Sequence, residues 1–315
     1  MTHFDFLGKS KYFLALSTLL VVASIVALVT VGLRLGMDFT GGLQLTVFYP
    51  TDTTLSDQAV RAYLEPLLAD VTPAPNLSVQ SVTGARTSPG EGTVSVPGKV
   101  ISLPSVSEEI WQRVRSALTE PPADSGLPQP IEFSITEIGP QVSGETVTRA
   151  WQAVLISLAA MLLYIAFRFR LKYGVAAVVS LIHDVILMVG LFAVTQLEFD
   201  LTAIAAILTV IGYTLNDKIV IYDRVRENTR IAKKAPLIET MNKAINQTLS
   251  RTLTTGSATL IAIIVLFIFG GRSLQPFALA MLVGVVVGTY SSIFIANPVI
   301  AWWTLTAERI HARRR

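Results

Sequence analysis

The sequence predicts an α-helical polytopic membrane protein with six transmembrane helices and one extracytoplasmic α+β domain between the first two spans. Three observations carry this expectation. Hydrophobic residues make up 51% of the 315-residue chain and charged ones 15%, with a mean hydropathy of +0.56, too apolar for a soluble chain of this length. Several uncharged runs exceed the roughly 18 residues that mark a membrane span. By contrast, one long stretch, 35–148, is mostly polar.

The first apolar run, Tyr12–Leu33, follows Lys9 and Lys11. It is too long for the core of a signal peptide and lacks an A-x-A site, so it reads as a retained span over 12–34, preceded by a short tail, 1–11. After the polar stretch come runs at 150–167, 173–197, 201–222, 252–271 and 273–307. The last is longer than one span needs, and Gly270, Gly271 and Pro276 mark a turn at its start. Residues 149–307 therefore form a five-helix bundle, with a basic loop at 223–250 and a basic tail at 308–315.

Lys and Arg set the orientation. Arg168, Arg170 and Lys172 follow the second span, Arg224 to Lys243 fill the 223–250 loop, and Arg309 and Arg313 to Arg315 end the chain. The opposite turns hold Glu198 and Asp200, or Arg272 alone. Both termini are expected in the cytoplasm and 35–148 outside.

Within 35–148, Leu43–Tyr49 alternates as a strand does, and strand-like pieces recur near 77–83, 94–103 and 130–138, with a Gly/Pro loop at 84–92. Thr54 with Asp57 and Ser105 with Glu108 fit capping boxes opening helices near 56–69 and 105–119. The order βαββαβ is the ferredoxin-like arrangement. Without a basic patch or an aromatic strand motif, a binding or docking module is expected rather than a nucleic-acid reader. The chain has no cysteine, and His3, His183 and His311 have no metal-ligand spacing, so no metal or cofactor and no enzymatic chemistry are expected.

Polar residues inside the spans are the functional candidates, since a charge at mid-membrane costs roughly 2.5–3.5 kcal/mol on insertion scales. They are His183 and Asp184 in the third span, Asn216, Asp217 and Lys218 in the fourth, and Arg251 at the start of the fifth. At a rise of about 1.5 Å per residue, Asp217 lies roughly 9 Å inside the boundary at Asp223, and Asp184 roughly 18 Å beyond Lys172. Asp184, Asp217 and Arg251 can line one polar track. Both a static Asp217–Arg251 pair that fixes packing and a carboxyl poised to load and release a proton fit this pattern. Lys218 is expected to snorkel to the surface. Pro236 opens an amphipathic helix with Leu237, Met241, Ala244 and Ile245, expected to lie on the membrane surface. Gly284 and Gly288 permit close helix packing, and Trp302 and Trp303 fit an interfacial anchor.

FDFLGKSKYF before the first span, GMDFTGG (36–42), GPQVSGE (139–145), LIHD (181–184), EFDLTAIAAILTVIGYTLND (198–217), IVIYDRVREN (219–228), NQTLSRT (246–252) and GTYSSIFIANP (288–298) resemble the SecF family of protein-export membrane proteins. The likeness runs nearly end to end. It implies a six-span partner of SecD, similar to half of a resistance–nodulation–division transporter, in the bacterial cytoplasmic membrane. It also implies an accessory subunit, not an ATPase, that helps the SecYEG channel, and SecA indirectly, to move unfolded exported polypeptide, with protons as the coupling ion and no nucleic-acid partner. Asp217 matches the aspartate of the family's LND motif and Arg251 the arginine of LSRT, both of the polar core implicated in proton passage; HDV, holding His183 and Asp184, is a further family motif. Lys218 departs from the pattern, which has a small hydroxylated residue there, and a lysine beside Asp217 can compete with Arg251 for its carboxylate as an alternative to snorkelling. Asp38, Gly41 and Gly42 in DFTGG, and Gly139, Pro140 and Gly144 in GPQVSGE, join domain to bundle, as hinges or as tight turns. A small-solute proton antiporter half and a passive scaffold of the export channel are the competing readings.

Overall fold

With no water in hydrocarbon to satisfy peptide groups, uncharged runs of this length close their hydrogen bonds internally as helices. Along the chain the elements are α1 (Ser10–Thr30), a one-turn α2 (Met37–Thr40), β1 (Gly42–Phe48), α3 (Asp57–Leu64), β2 (Ser78–Ser88), β3 (Gly92–Leu103), α4 (Glu108–Thr119), β4 (Glu132–Ile138), α5 (Pro140–Arg168), α6 (Leu171–Thr195), α7 (Leu201–Ile231), α8 (Leu237–Phe269), α9 (Gln275–Phe294) and α10 (Ala296–Arg313). They come from a computed structural model that describes residues 4–51, 53, 55–71, 77–88, 92–103, 106–122, 125–138, 140–169, 171–232, 235–271 and 274–313. The chain divides into two units, Met1–Arg34 with Ala150–Arg315, and Leu35–Arg149. Among the described residues, six helical segments are long and apolar enough to cross a membrane, the sixth combining α9 with the start of α10.

In the first unit α9 packs against α7 through its glycines. A Cβ at Gly284 would meet Val210 and Met188, and one at Gly288 would overlap the Thr214 side chain. Gly190 of α6 lies equally close to Ser24 of α1. Asp200 caps α7, its Oδ1 accepting from the Ala203 N–H at 2.9 Å. The helices run further than the polar sequence suggested. Most of 223–250 is helical: α7 continues to Ile231, and α8 runs unbroken from Leu237 through the fifth span. The face of Met241, Ala244 and Ile245 is buried against Tyr222 and Val225 rather than laid on the membrane surface. The long α7 gives that apolar face a protein partner to cover it.

The amino-terminal segment is fastened to the same part of α8. Asn242 Oδ1 accepts the Phe6 and Leu7 N–H groups at 3.1 and 3.0 Å, while its Nδ2 donates to Asp5 Oδ1. One turn on, the Asn246 amide accepts the Phe4 N–H and donates to the Phe4 carbonyl. Phe6 and Phe13 pack on Phe294 of α9, and Tyr290 donates to the Phe13 carbonyl at 2.6 Å.

In the second unit the strands are ordered β2-β3-β1-β4, every neighbour antiparallel, which is the ferredoxin-like topology. Leu43, Leu45, Val47 and Tyr49 alternate inward and are covered by Val60 and Leu64 of α3 and Trp111, Val114 and Leu118 of α4. Ser56, not Thr54, caps α3, accepting from the Ala59 N–H at 3.1 Å, and α4 starts at Glu108 after Ser107. Asp57 and Glu108 are thus first-turn residues favoured by the helix dipole rather than capping-box partners, and Thr54 and Ser105 lie outside the described residues. The expected 84–92 loop is mostly strand, since β2 and β3 pair from Ser78↔Ser102 to Ser88↔Gly92. Gly84 and Gly98 stay in this ladder because the Phe48 ring lies against both, filling the space that their missing side chains leave. Lys99 is buried and reaches Asp57 Oδ1 at 2.6 Å and Ser81 Oγ at 2.7 Å.

Asp38 lies in α2, and the next two glycines, Gly41 at φ +67° and Gly42 at φ +137°, hold conformations that side chains disfavour, forming a tight turn into β1. Pro140 opens α5 and Gly144 lies within it, so neither forms a turn; Gly139 is outside the described residues.

Two outcomes follow from this packing. Gly288→Val should cost about 1–3 kcal/mol, read as a lower thermal-unfolding midpoint in detergent. Burial pushes the Tyr49 hydroxyl up to about 12. The folded unit favours the neutral phenol, so that stabilisation is complete below pH 10 and is lost as pH rises toward 12. Spectrophotometric titration should show one tyrosine ionising in that upper range, absent in Tyr49→Phe.

Candidate functional site

Helix periodicity gathers the polar side chains of the first unit. Ser180, His183 and Asp184 stand at i, i+3 and i+4 on α6, and Thr214, Asp217 and Lys218 repeat that spacing on α7. Both sets face inward and are buried. Ser291 of α9 meets them one turn beyond Gly288, where the absent side chain lets α7 and α9 approach. Ser17 is the one buried residue of α1.

Asp184 sits at the centre. Its Oδ2 accepts from Lys218 Nζ at 3.2 Å and from Ser291 Oγ at 2.8 Å, and its Oδ1 lies 3.0 Å from His183 Nδ1. Ser291 in turn takes contacts from Lys218 Nζ at 3.4 Å and Ser180 Oγ at 3.1 Å. On the other side of the imidazole, His183 Nε2 is 2.5 Å from Ser17 Oγ. A neutral His183 that donates through Nδ1 to Asp184 accepts the Ser17 hydroxyl proton at Nε2; an imidazolium donates at both nitrogens. A continuous chain of exchangeable groups therefore runs from α1 through α6 to α7 and α9.

The arrangement corrects one expectation. Lys218 does not snorkel; it is 0% exposed and ion-paired to Asp184. Lying one turn beyond Thr214, it points into the α6–α7–α9 core, where only a carboxylate and hydroxyls can compensate its charge. A buried pair of this kind adds little net stability, but removing one partner alone costs about 3–5 kcal/mol.

Asp217 lies beside this cluster without joining it. It is 5% exposed and its Oδ2 is buried with no hydrogen-bond partner among the described residues. The Asp217–Arg251 pair is not formed: Arg251 is exposed on α8, beside Thr255, while Thr248, Thr252 and Gly256 carry the buried face. Asn216 is likewise exposed on α7. His183 and Asp184 are thus brought together, Asp217 stands next to them, and Asn216 and Arg251 face outward. Thr214 Oγ1 and the Tyr222 hydroxyl are also buried without partners among the described residues. Sequence reasoning missed Ser17, Ser180 as a link to Ser291, and Ser291 itself; the signal for Ser291 was its place three residues after Gly288 in GTYSSIF.

A polytopic helical membrane protein with a buried, charge-balanced cluster among its helices and a ferredoxin-like domain after its first span is what these units define. Comparison with known proteins narrows the class. Residues 127–306 match the family described as "Protein export membrane protein SecD/SecF, C-terminal", and residues 26–47 match the "SecD/SecF GG Motif". The chain is 39% identical over 307 residues to "Protein translocase subunit SecF" of Pseudomonas aeruginosa, covering 96% of this chain and 92% of that protein. It is 38% identical to the protein of the same name from Thermodesulfovibrio yellowstonii, covering 95% and 94%. The chain belongs to the SecF family of protein-export membrane proteins. Among solved structures it resembles SecDF, a translocon-associated membrane protein from Thermus thermophilus, with a TM-score of 0.76 and 32% identity over 96% of this chain. SecDF in a super-membrane-facing form gives 0.73 and 30% over 100%. This chain spans about two-fifths of those longer SecDF chains, 39% and 40%.

Ser291→Ala should destabilise the bundle by about 2 kcal/mol, since it removes a donor to a buried carboxylate. Ser292→Ala removes only a bond to the Gly288 carbonyl of its own helix and should change the unfolding midpoint less.

Proposed function

We propose that the chain is the SecF-type subunit of a SecD–SecF auxiliary complex of the Sec translocase, which uses the proton-motive force to promote export of polypeptides across the bacterial cytoplasmic membrane. It is an accessory transport subunit rather than an ATPase, and protons are its coupling ion. Family membership supports the role in export, and the relatives' name, translocase subunit SecF, agrees with it. The longer SecDF chains support a SecD partner, with SecYEG the channel that the pair serves. The distribution of Lys and Arg supports cytoplasmic termini and an external 35–149 unit.

One observation carries the mechanism. Asp217 holds a buried, unpartnered carboxyl oxygen, while Asn216 and Arg251 are exposed on α7 and α8. A guanidinium beside an apolar run is costly against lipid, so that face calls for a protein partner. SecD covers it and closes the polar track around Asp217. Moving one charge through 100 mV releases about 2.3 kcal/mol. Protonation of Asp217 removes its attraction to Arg251, and neighbouring helices repack. The DFTGG and GPQVSGE junctions pass that movement to the external unit, where it acts on the emerging polypeptide.

Asp217→Asn, in a complex that still assembles with SecD, should lower proton flux in vesicles at least tenfold and slow export in cells. Undiminished flux and normal export would overturn this function.

A further inference from the structure

The last turns of α7 form a charged cleft that the proton scheme does not use. Asp223, Arg226, Glu227, Arg230 and Ile231 recur at i, i+3, i+4, i+7 and i+8, so they share one face of the helix. That face is exposed, because Tyr222, Val225 and Asn228 turn inward. Arg168, the last residue of α5, closes the other side, and together they line a cleft of about 450 Å³. Small-molecule sites span roughly 300–1,000 Å³. Packing fixes the walls. The Arg168 guanidinium lies over the Phe169 ring at 5.2 Å, and Phe169 packs edge-on against Tyr222, the residue before Asp223.

The charges lining the cleft do not cancel. Glu227 is already taken by Arg224, whose Nη1 donates to it at 2.6 Å while Nε donates to Gln247. Among the described residues Arg168, Arg226, Arg230 and Asp223 form no hydrogen bond or ion pair through their side chains, and Arg168 keeps only its ring contact. Three guanidiniums therefore stand against one uncommitted carboxylate. They repel one another until an anion accepts from more than one of them. A phosphate suits this place best, since the planar guanidinium fork matches two of its oxygens at once. The surroundings add a second requirement. Arg168 ends the apolar window of α5, Phe167 before it is almost fully exposed, and Leu171 and Ile231 are exposed as well. An anion with apolar chains attached satisfies both the guanidiniums and this rim, whereas a water-soluble one leaves the rim bare.

We propose that the cleft seats the phosphate headgroup of an anionic phospholipid, held by Arg168, Arg226 and Arg230, with its acyl chains along Phe167 and Ile231. The bound lipid fastens the end of α5 to α7. Only 17% of the apolar window of α5 is buried, so a bridging headgroup supplies a tie that its own side chains do not. Asp223 opposes the headgroup and keeps the bond weak enough to exchange. This site is independent of proton passage through Asp217.

The full chain in neutral detergent, alone and with SecD, is titrated with phosphatidylglycerol, and bound lipid is counted by native mass spectrometry. One phosphatidylglycerol should bind saturably, with phosphatidylcholine roughly tenfold weaker. Arg226→Gln with Arg230→Gln should weaken phosphatidylglycerol about tenfold, at one to two surface charges' worth of attraction, without moving the unfolding midpoint of the lipid-free protein. Asp223→Asn should tighten it. Lys9→Gln with Lys11→Gln removes as many charges beside α1 and should leave the affinity unchanged. Equal losses in the two double variants would overturn the proposal, because the attraction would then belong to the basic face as a whole. Glycerol phosphate binding as tightly as the lipid would overturn it in favour of a soluble anion, and loss of the lipid on adding SecD would overturn it in favour of a cleft that the partner covers. Should the arginine variant fail to fold, Asp223→Asn decides, and an affinity that does not rise overturns the site.

Discussion

Two opposite charges sealed among hydrocarbon-facing helices can exist there only together, and the pair Asp184–Lys218 is the constraint around which the helical unit is arranged. Ser291 bonds both the carboxylate and the ammonium, and Ser180 donates to Ser291 in turn. Satisfying them requires α6, α7 and α9 to meet closely, which the side-chain-free surface at Gly284 and Gly288 allows. Polar satisfaction and close packing are therefore one requirement, met at one place.

The other helices stand apart from that centre. Between 50 and 56% of the apolar windows of α6, α7 and α9–α10 is buried, against 6 to 17% in α1, α5 and α8. Lipid can cover aliphatic surface of that kind, but it does not suit Asn216 and Arg251. The helical unit thus has a satisfied polar interior and, at Asn216 and Arg251, an exposed polar side.

The six spans, the ferredoxin-like order and the burial of Asp184 and Asp217 among the helices were legible in the sequence, because run length, strand alternation and intramembrane charge are local properties. Partner choice was not. Lys218 looked like a residue that could reach the surface because its neighbours in sequence are polar; its direction is set by α6 and α9, which no window on α7 contains. From the sequence Arg251 could share one polar track with Asp217 and Asp184, whereas Thr248, Thr252 and Gly256 take the inward positions on α8. The polar composition of 223–250 suggested a loop, but two extended helices cover each other's apolar faces there. In the sheet, the glycines of 84–92 suggested a turn because the sequence around them does not reveal that Phe48, from another strand, lies over Gly84.

The clasp formed by Asn242 and Asn246 on Phe4, Phe6 and Leu7 has a consequence for biosynthesis. Phe4, Phe6 and Leu7 leave the ribosome well before their seat, which is made some 240 residues later. At roughly 5–20 residues per second, they wait on the order of ten to fifty seconds. Throughout that interval the segment ahead of α1 stays unfastened, although α1 itself can already pack on α6 through Ser17 and Ser24, so this clasp is among the last contacts of the helical unit to close.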